Sequence, residues 1–140
     1  MTPPNVTART ARTGTPAPSA APPVPAAPAG ASTGAILFTA FEPSGDAHAA
    51  PVIAALRARR PDVRIFAWGG HRMEEAGATL IERTADDGAM GLGALTRAWA
   101  VRSQIARIRR WSKRYRVLIH VPVDSPAANF PIATTMHRRG

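Results

Sequence analysis

The sequence predicts an α/β protein, with a Rossmann-like parallel sheet and helices on both faces. Short apolar runs alternate four times with segments of helical spacing, and the runs lack the polar alternation of half-exposed strands. Such alternation favours right-handed crossovers between parallel strands. With 140 residues, the chain has room for about one domain.

The four predicted strands are short apolar runs. The first covers 35–40, and the second covers 63–68, where Gly69-Gly70 closes it. A brief third strand is expected at 79–81. The fourth, 117–121, ends before Pro122, which cannot donate to a sheet ladder.

The predicted helices fill the intervals. The first repeats apolar residues at helical spacing up to Arg59, and Pro51 places its start or a kink near that point. The second, 71–76, ends at Gly77, which suits a left-handed cap. Met90 to Gly93 is expected to turn into the third helix, 99–115, and a fourth begins near Phe130. The third carries an apolar stripe of Val101, Ile105, Ile108, Trp111 and Tyr115.

Residues 1–33 are expected to form a disordered tail. They hold eight of the 14 prolines, and their only charged residues are Arg9 and Arg12. Such a segment buries too little apolar surface to offset the entropy of ordering. The folded domain is therefore expected to span 34–140.

The chain is strongly basic, with 18 Lys and Arg residues against 9 Asp and Glu residues. This surplus indicates a polyanionic partner, although a coding bias towards arginine explains it equally well. Helix 99–115 concentrates arginine beside Trp99, Trp111 and Tyr115, which suits an anionic membrane surface or simply a solvated helix face. Nucleic acid ranks last, because the sequence contains no recognised RNA- or DNA-reading motif.

Cysteine is absent, which excludes disulfides, zinc–thiolate sites and cysteine nucleophiles. The four histidines show no metal-ligand spacing, so neither a metal nor another cofactor is expected. No apolar run approaches the roughly 20 residues of a membrane span. No apolar segment follows Arg9 and Arg12 as in a secretory signal. The default expectation is a cytoplasmic protein.

Three polar loops follow predicted strands, at 41–46, 69–73 and 123–126. The carboxyl ends of parallel strands share one edge of the sheet, and open α/β sheets bind ligands there. The sequence therefore places its candidate site at this edge.

Most candidate side chains in the first two loops also have a structural interpretation. Ser44, Gly45 and Asp46 stand where a helix begins, so the backbone there can hold an anion or a sugar hydroxyl. Spacing alone favours a helix cap at Ser44 or Asp46 over that role. Gly70 can serve the turn alone. Arg72 can grip a phosphate through two hydrogen bonds or stay solvated.

Asp124 is the candidate in the third loop. At the end of a buried strand it is partly desolvated, which raises the pKa of its carboxyl group and suits it to act as a general base. A cap for the helix that begins near Phe130 explains the same residue equally well.

Together these loops resemble the N-terminal region of the lipid-A-disaccharide synthase family, from about Ile36 onwards. The motifs occur in the family's order and near its spacing. They are Glu42-Pro43-Ser44-Gly45-Asp46-x-His48, Gly69-Gly70-x-Arg72-Met73-x-x-x-Gly77, Met90-Gly91-Leu92 and Asp124-x-Pro126-x-x-Asn129-Phe130.

The resemblance implies the N-terminal, acceptor-side domain of a GT-B glycosyltransferase. That family joins a UDP-linked diacylglucosamine to a diacylglucosamine 1-phosphate, releases UDP and inverts the anomeric centre. It implies Asp124 as the general base. Substrate-binding positions are implied at Glu42, Ser44, Gly45, Asp46, Gly70, Arg72, Met90, Gly91 and Asn129. It also implies a peripheral location on the inner membrane, reached through helix 99–115.

The sequence departs from the family pattern at Phe41, His71, Ala94 and Ala127. The last two stand where the family usually carries acidic residues. The family's C-terminal UDP-sugar domain is expected to be missing, so the 140-residue chain is expected to be inactive alone. The alternative hypothesis is a non-catalytic Rossmann-like module that binds anionic membrane or lipid phosphate.

Overall fold

The structure is a computed structural model that describes residues 34–85 and 94–139, with side chains at 34–85 and 99–139. The predicted tail, 1–33, and the predicted turn at Met90 to Gly93 lie outside these residues.

Strands and helices alternate through the described residues. The strands are β1 (Ala35–Thr39), β2 (Arg64–Gly69), β3 (Thr79–Arg83) and β4 (Val117–Pro122). The helices are α1 (Pro43–Arg59), α2 (His71–Glu75), α3 (Ala94–Trp111) and α4 (Pro126–His137). The strands form one parallel sheet in the order β3-β2-β1-β4. The predicted Rossmann-like α/β fold is thereby confirmed.

Strand β1 is the central strand, and every one of its residues is buried. It pairs with β2 from Ala35↔Arg64 onwards and with β4 up to Thr39↔Pro122. The chain moves from β1 to β2 and β3 in one direction, and then crosses to β4 on the other side of β1. The point between β1 and β4 is therefore the topological switch point, where open α/β sheets bind ligands.

Two helices begin earlier than the apolar spacing predicts, in each case at a proline. Helix α1 begins at Pro43 and α4 at Pro126. Proline suits the first helical position, because its missing N–H would have no partner there and its φ is already helical. Pro51 lies exposed inside α1, so it does not mark the start of that helix.

The sheet separates two apolar cores. On one face, α1 and α2 cover Phe38 and Ile65 with Ile53 and Met73. On the other face, α3 and α4 cover the sheet. That core contains Leu37, Phe66, Trp68, Ile108 and Ile132. The predicted α3 stripe faces this second core.

The aromatic residues of α3 divide between the core and the surface. Trp111 meets Phe66 and Trp68 edge-on, with ring centroids 5.0 Å apart in each pair, and it stacks on Tyr115 at 4.6 Å. Trp99 is 74% exposed. Trp111 and Tyr115 therefore stabilise the core, and the prediction that they belong to a membrane-facing surface is wrong.

Candidate active site

Asp124 lies just after β4, at the switch point. Its carboxylate accepts the backbone N–H of Phe41, which is 2.9 Å from each oxygen, and that of Glu42, which is 2.8 Å from Oδ2. These two residues immediately precede α1, where the helix dipole favours a negative charge. Asp124 thus caps α1, the helix after β1, and not the helix α4 that follows it in sequence.

Gly45 makes room for this carboxylate. A Cβ atom at Gly45 would lie 2.1 Å from Oδ2 of Asp124, which is far inside van der Waals contact. Gly45 is buried in the first turn of α1. The space at Gly45 is therefore filled by a side chain of the protein itself.

Two opposing effects act on the pKa of Asp124. Burial raises the pKa, and the nearby charge of Glu42 raises it further, whereas the hydrogen bonds from Phe41 and Glu42 lower it. Burial is the largest effect, so the pKa lies above its ordinary value. Glu42 is held close by Ser125, whose hydroxyl donates to Oε1 over 2.6 Å and whose backbone has a left-handed φ of 39°.

Asp46 caps α2, although it belongs to α1. Its carboxylate accepts the N–H groups of Gly70 at 2.9 Å, Met73 at 3.0 Å and Arg72 at 3.1 Å. Asp46 is 2% exposed, and a Cβ atom at Gly70 would lie 2.5 Å from its Oδ2. The structure therefore gives Asp46 and Gly70 a role in joining α1 to α2.

A buried hydrogen-bonded chain lies beneath the Asp124 turn. The Thr39 hydroxyl lies 2.8 Å from Nε2 of His120 and 2.5 Å from Oδ1 of Asn129. The Asn129 amide donates to the backbone carbonyl of Asp124. Sequence reasoning singled out Asn129 but missed Thr39 and His120. Their signal is a polar residue inside an otherwise apolar strand.

The remaining predicted site residues do not converge on Asp124 as closely. Ser44 and Arg72 are exposed. Met90 and Gly91 lie outside the described residues. The structure thus brings Glu42, Asp124 and Asn129 together, and links the Gly70–Arg72 loop to them through α1.

Within residues 34–85 and 94–139, no three His, Asp or Glu side chains are grouped closely enough to hold a metal ion. None of the helices described there has the length and apolar character needed to cross a membrane.

Replacing Asp46 with Ala is expected to lower the free energy of unfolding by about 2–3 kcal/mol, because three N–H groups at the start of α2 lose their acceptor. Asp62→Ala is the matched control. It removes an exposed pair with Arg60 and is expected to leave the free energy of unfolding nearly unchanged. Urea unfolding followed by circular dichroism measures both, and equal effects would contradict the assignment.

His120 is expected to make stability depend on pH. Burial lowers its pKa from 6.5 to about 4, so between these values the unfolded chain binds a proton that the folded chain does not. This contribution to stability is complete above pH 6.5 and is lost as the pH falls towards 4. His120→Gln should flatten that part of the stability–pH curve, while His137→Gln, at an exposed position, should keep the wild-type slope. Parallel curves for all three proteins would refute the prediction.

Comparison of the sequence with known proteins relates this chain to a family. Residues 36–140 match the family model of lipid-A-disaccharide synthetase. The chain is 31% identical over 106 residues to the lipid-A-disaccharide synthase of Acidobacterium capsulatum. The aligned region covers 75% of this chain and 26% of that protein. It is 47% identical over 57 residues to the Myxococcus xanthus lipid-A-disaccharide synthase, covering 41% and 15% respectively. It is 30% identical over 105 residues to the Solibacter usitatus lipid-A-disaccharide synthase, and that match covers 74% of this chain and 28% of that protein.

The longest of these matches cover about a quarter of the curated relatives' own length. The family model runs through the described sheet and through both loops that meet at Asp124. Since the family model covers three-quarters of this sequence, the chain belongs to the lipid-A-disaccharide synthase family.

Proposed function

We propose that this chain is the N-terminal, acceptor-side part of a glycosyltransferase. The reaction joins UDP-2,3-diacylglucosamine to 2,3-diacylglucosamine 1-phosphate and releases UDP. The observation that carries the proposal is the position of Asp124, a partly buried carboxylate with a raised pKa at the switch point of a sheet from this family.

In the proposed step, Asp124 acts as the general base. Its carboxylate takes the proton from the 6-hydroxyl of the acceptor as that oxygen attacks the anomeric carbon of the donor. The bond between the anomeric carbon and the phosphate oxygen breaks, UDP leaves with the electron pair, and the anomeric centre is inverted. A base with a pKa raised towards the working pH is better suited to this transfer.

The hydrogen bonds of Asp124 are compatible with this role. Oδ2 accepts from both Phe41 and Glu42, whereas Oδ1 shares only the Phe41 N–H. A carboxylate oxygen has two lone pairs, so Oδ1 keeps one that can accept the proton of an acceptor hydroxyl. The two N–H groups fix the direction in which this lone pair points.

The exposed groups of the same edge supply candidate contacts to the substrate. Arg72 is exposed at the start of α2, and a guanidinium binds phosphate through two parallel hydrogen bonds. Ser44 and Glu42 are exposed at the start of α1, where they can meet sugar hydroxyls. We assign the acceptor phosphate to Arg72 and the acceptor sugar to the α1 side.

The isolated 140-residue chain is expected to form no detectable disaccharide from the two substrates, because it spans about a quarter of its relatives' length. A radiolabelled lipid assay on the purified chain measures this. Disaccharide formed by the chain alone would overturn the expectation.

The base is tested in a chimaera in which residues 34–139 replace the matching segment of the Acidobacterium capsulatum synthase. Asp124→Asn should lower turnover by about 10²–10⁴-fold, the range that a general base contributes. Asp62→Asn, at an exposed carboxylate in the loop between α1 and β2, should leave turnover unchanged. Full activity of Asp124→Asn would exclude Asp124 as the base.

A second candidate function, binding to an anionic membrane, rests on the outer surface of α3. Trp99 is 74% exposed there, and the basic side chains of the surface are also exposed. They are Arg102, Arg109 and Arg110 on α3, and Lys113 and Arg114 in the turn that follows it. Each cation near an anionic surface contributes about 1 kcal/mol to binding. We propose that this surface holds the protein at the cytoplasmic face of the inner membrane.

Co-sedimentation with phosphatidylglycerol vesicles tests the membrane proposal. The double variant Arg102→Glu/Arg110→Glu should bind at least about tenfold more weakly than the wild type. The matched control Arg59→Glu/Arg60→Glu changes the net charge equally at the end of α1, and should bind much more tightly than the α3 variant. Equal loss in both variants would show attraction by net charge alone.

A further inference from the structure

Three polar side chains from three different elements lie beneath the Asp124 turn, two of them buried and His120 partly buried. Thr39 comes from β1, His120 from β4 and Asn129 from α4. Thr39 is 0% and Asn129 1% exposed. Burying polar groups inside a core is costly unless they are hydrogen-bonded, so the pattern of their bonds must be nearly complete.

The direction of each hydrogen bond follows from the chemistry of the groups. The carbonyl oxygen of Asp124 can only accept, so the Asn129 amide nitrogen donates to it and the amide oxygen faces Thr39. The single hydroxyl proton of Thr39 goes to that oxygen. Nε2 of His120 must then donate to Thr39, and His120 is the neutral tautomer protonated at Nε2.

Two further observations agree with this tautomer. Nδ1 of His120 is buried and has no hydrogen-bond partner, as an unprotonated nitrogen in an apolar site would be. Burial also keeps the imidazole neutral at ordinary pH by lowering its pKa to about 4. The chain of bonds therefore runs in one direction, from His120 through Thr39 and Asn129 to the backbone of Asp124.

This series of hydrogen bonds ends at the turn after β4, which orients the Asp124 side chain. Ser125 follows with a left-handed φ of 39°, a conformation that is strained for a non-glycine residue and persists only where its surroundings hold it. The bond from Asn129 fixes the peptide between Asp124 and Ser125. With that peptide fixed, the carboxylate reaches the N–H groups of Phe41 and Glu42.

We propose that His120, Thr39 and Asn129 are positioning residues, which hold the Asp124 carboxylate in its orientation at the switch point through this buried hydrogen-bonded chain. The use of that orientation in sugar transfer rests on the proposed function. The orientation itself does not, and it is measurable in the 140-residue chain without any substrate.

The first test needs only the native chain. Nitrogen-15 NMR of the histidine rings should show His120 with a protonated Nε2 and an unprotonated Nδ1 at neutral pH. The opposite tautomer would break the directed chain and overturn the proposal.

The second test follows the amide protons of Phe41 and Glu42 as Asp124 ionises. In the wild type both shifts should change with pH together with the Asp124 carboxyl carbon, because both N–H groups donate to that carboxylate. Thr39→Val removes the hydroxyl with little change of shape, and should reduce the amplitude of this change by about half or more. Thr39→Ser, which keeps the hydroxyl, should restore it.

Thr135→Val is the matched control for the second test. It removes a hydroxyl that donates to Pro131 further along α4, and should leave the Phe41 and Glu42 titration unchanged. A folded Thr39→Val chain with the wild-type amplitude would refute the proposal. If Thr39→Val does not fold, the tautomer and the comparison of Thr39→Ser with the wild type still decide it.

Activity in the chimaera separates this inference from the proposed function. Thr39→Val should lower kcat by about 10- to 100-fold with KM nearly unchanged, because a misaligned base slows the chemical step without removing a substrate contact. If Asp124→Asn stays active while the amide titration behaves as expected, the base assignment fails and the positioning role stands. If Asp124→Asn is inactive and Thr39→Val keeps both the amide titration and kcat, the positioning role fails.

Discussion

The carboxyl edge of this sheet depends on aspartates that accept backbone N–H groups from a neighbouring loop. Asp124 reaches from the end of β4 to the start of α1, and Asp46 reaches from α1 to the start of α2. Each carboxylate lies against a glycine, and a Cβ atom at Gly45 or Gly70 would overlap it. Helix starts have unpaired N–H groups, and a carboxylate from a neighbouring element satisfies them while it joins the two elements.

The two carboxylates differ in how fully their oxygens are used by N–H donors. Asp46 is 2% exposed and its oxygens are used by three N–H groups. Asp124 is only partly buried and accepts from two, and its pKa is raised chiefly by that burial and to a smaller extent by the charge of Glu42. The same kind of interaction is therefore structural in one loop and compatible with proton transfer in the other. Exposure and the neighbouring charge make the difference.

The sequence predicts the order of strands and helices and the edge where the polar loops meet, because both follow from apolar spacing and from the geometry of parallel sheets. It cannot tell which N–H groups a carboxylate finds. Asp124 was expected either as a base or as a cap of the helix after it, yet it caps α1, a contact between residues 83 positions apart. Sequence reasoning misses Thr39 and His120 for the same reason, because only the pairing of β1 with β4 brings these two side chains together.

Charged residues are distributed unevenly over the protein. The basic residues that give the sequence its net charge of +9 are concentrated on α3 and the turn after it, whereas the switch point contains Glu42 and Asp124. Two carboxylates in proximity disfavour a second negative charge, which suits a base with a raised pKa but repels a phosphate. The net charge therefore describes the α3 surface and not the switch point. A phosphate that binds at this edge, as we propose, therefore needs cations outside the carboxylate pair, and Arg72 is exposed one loop away.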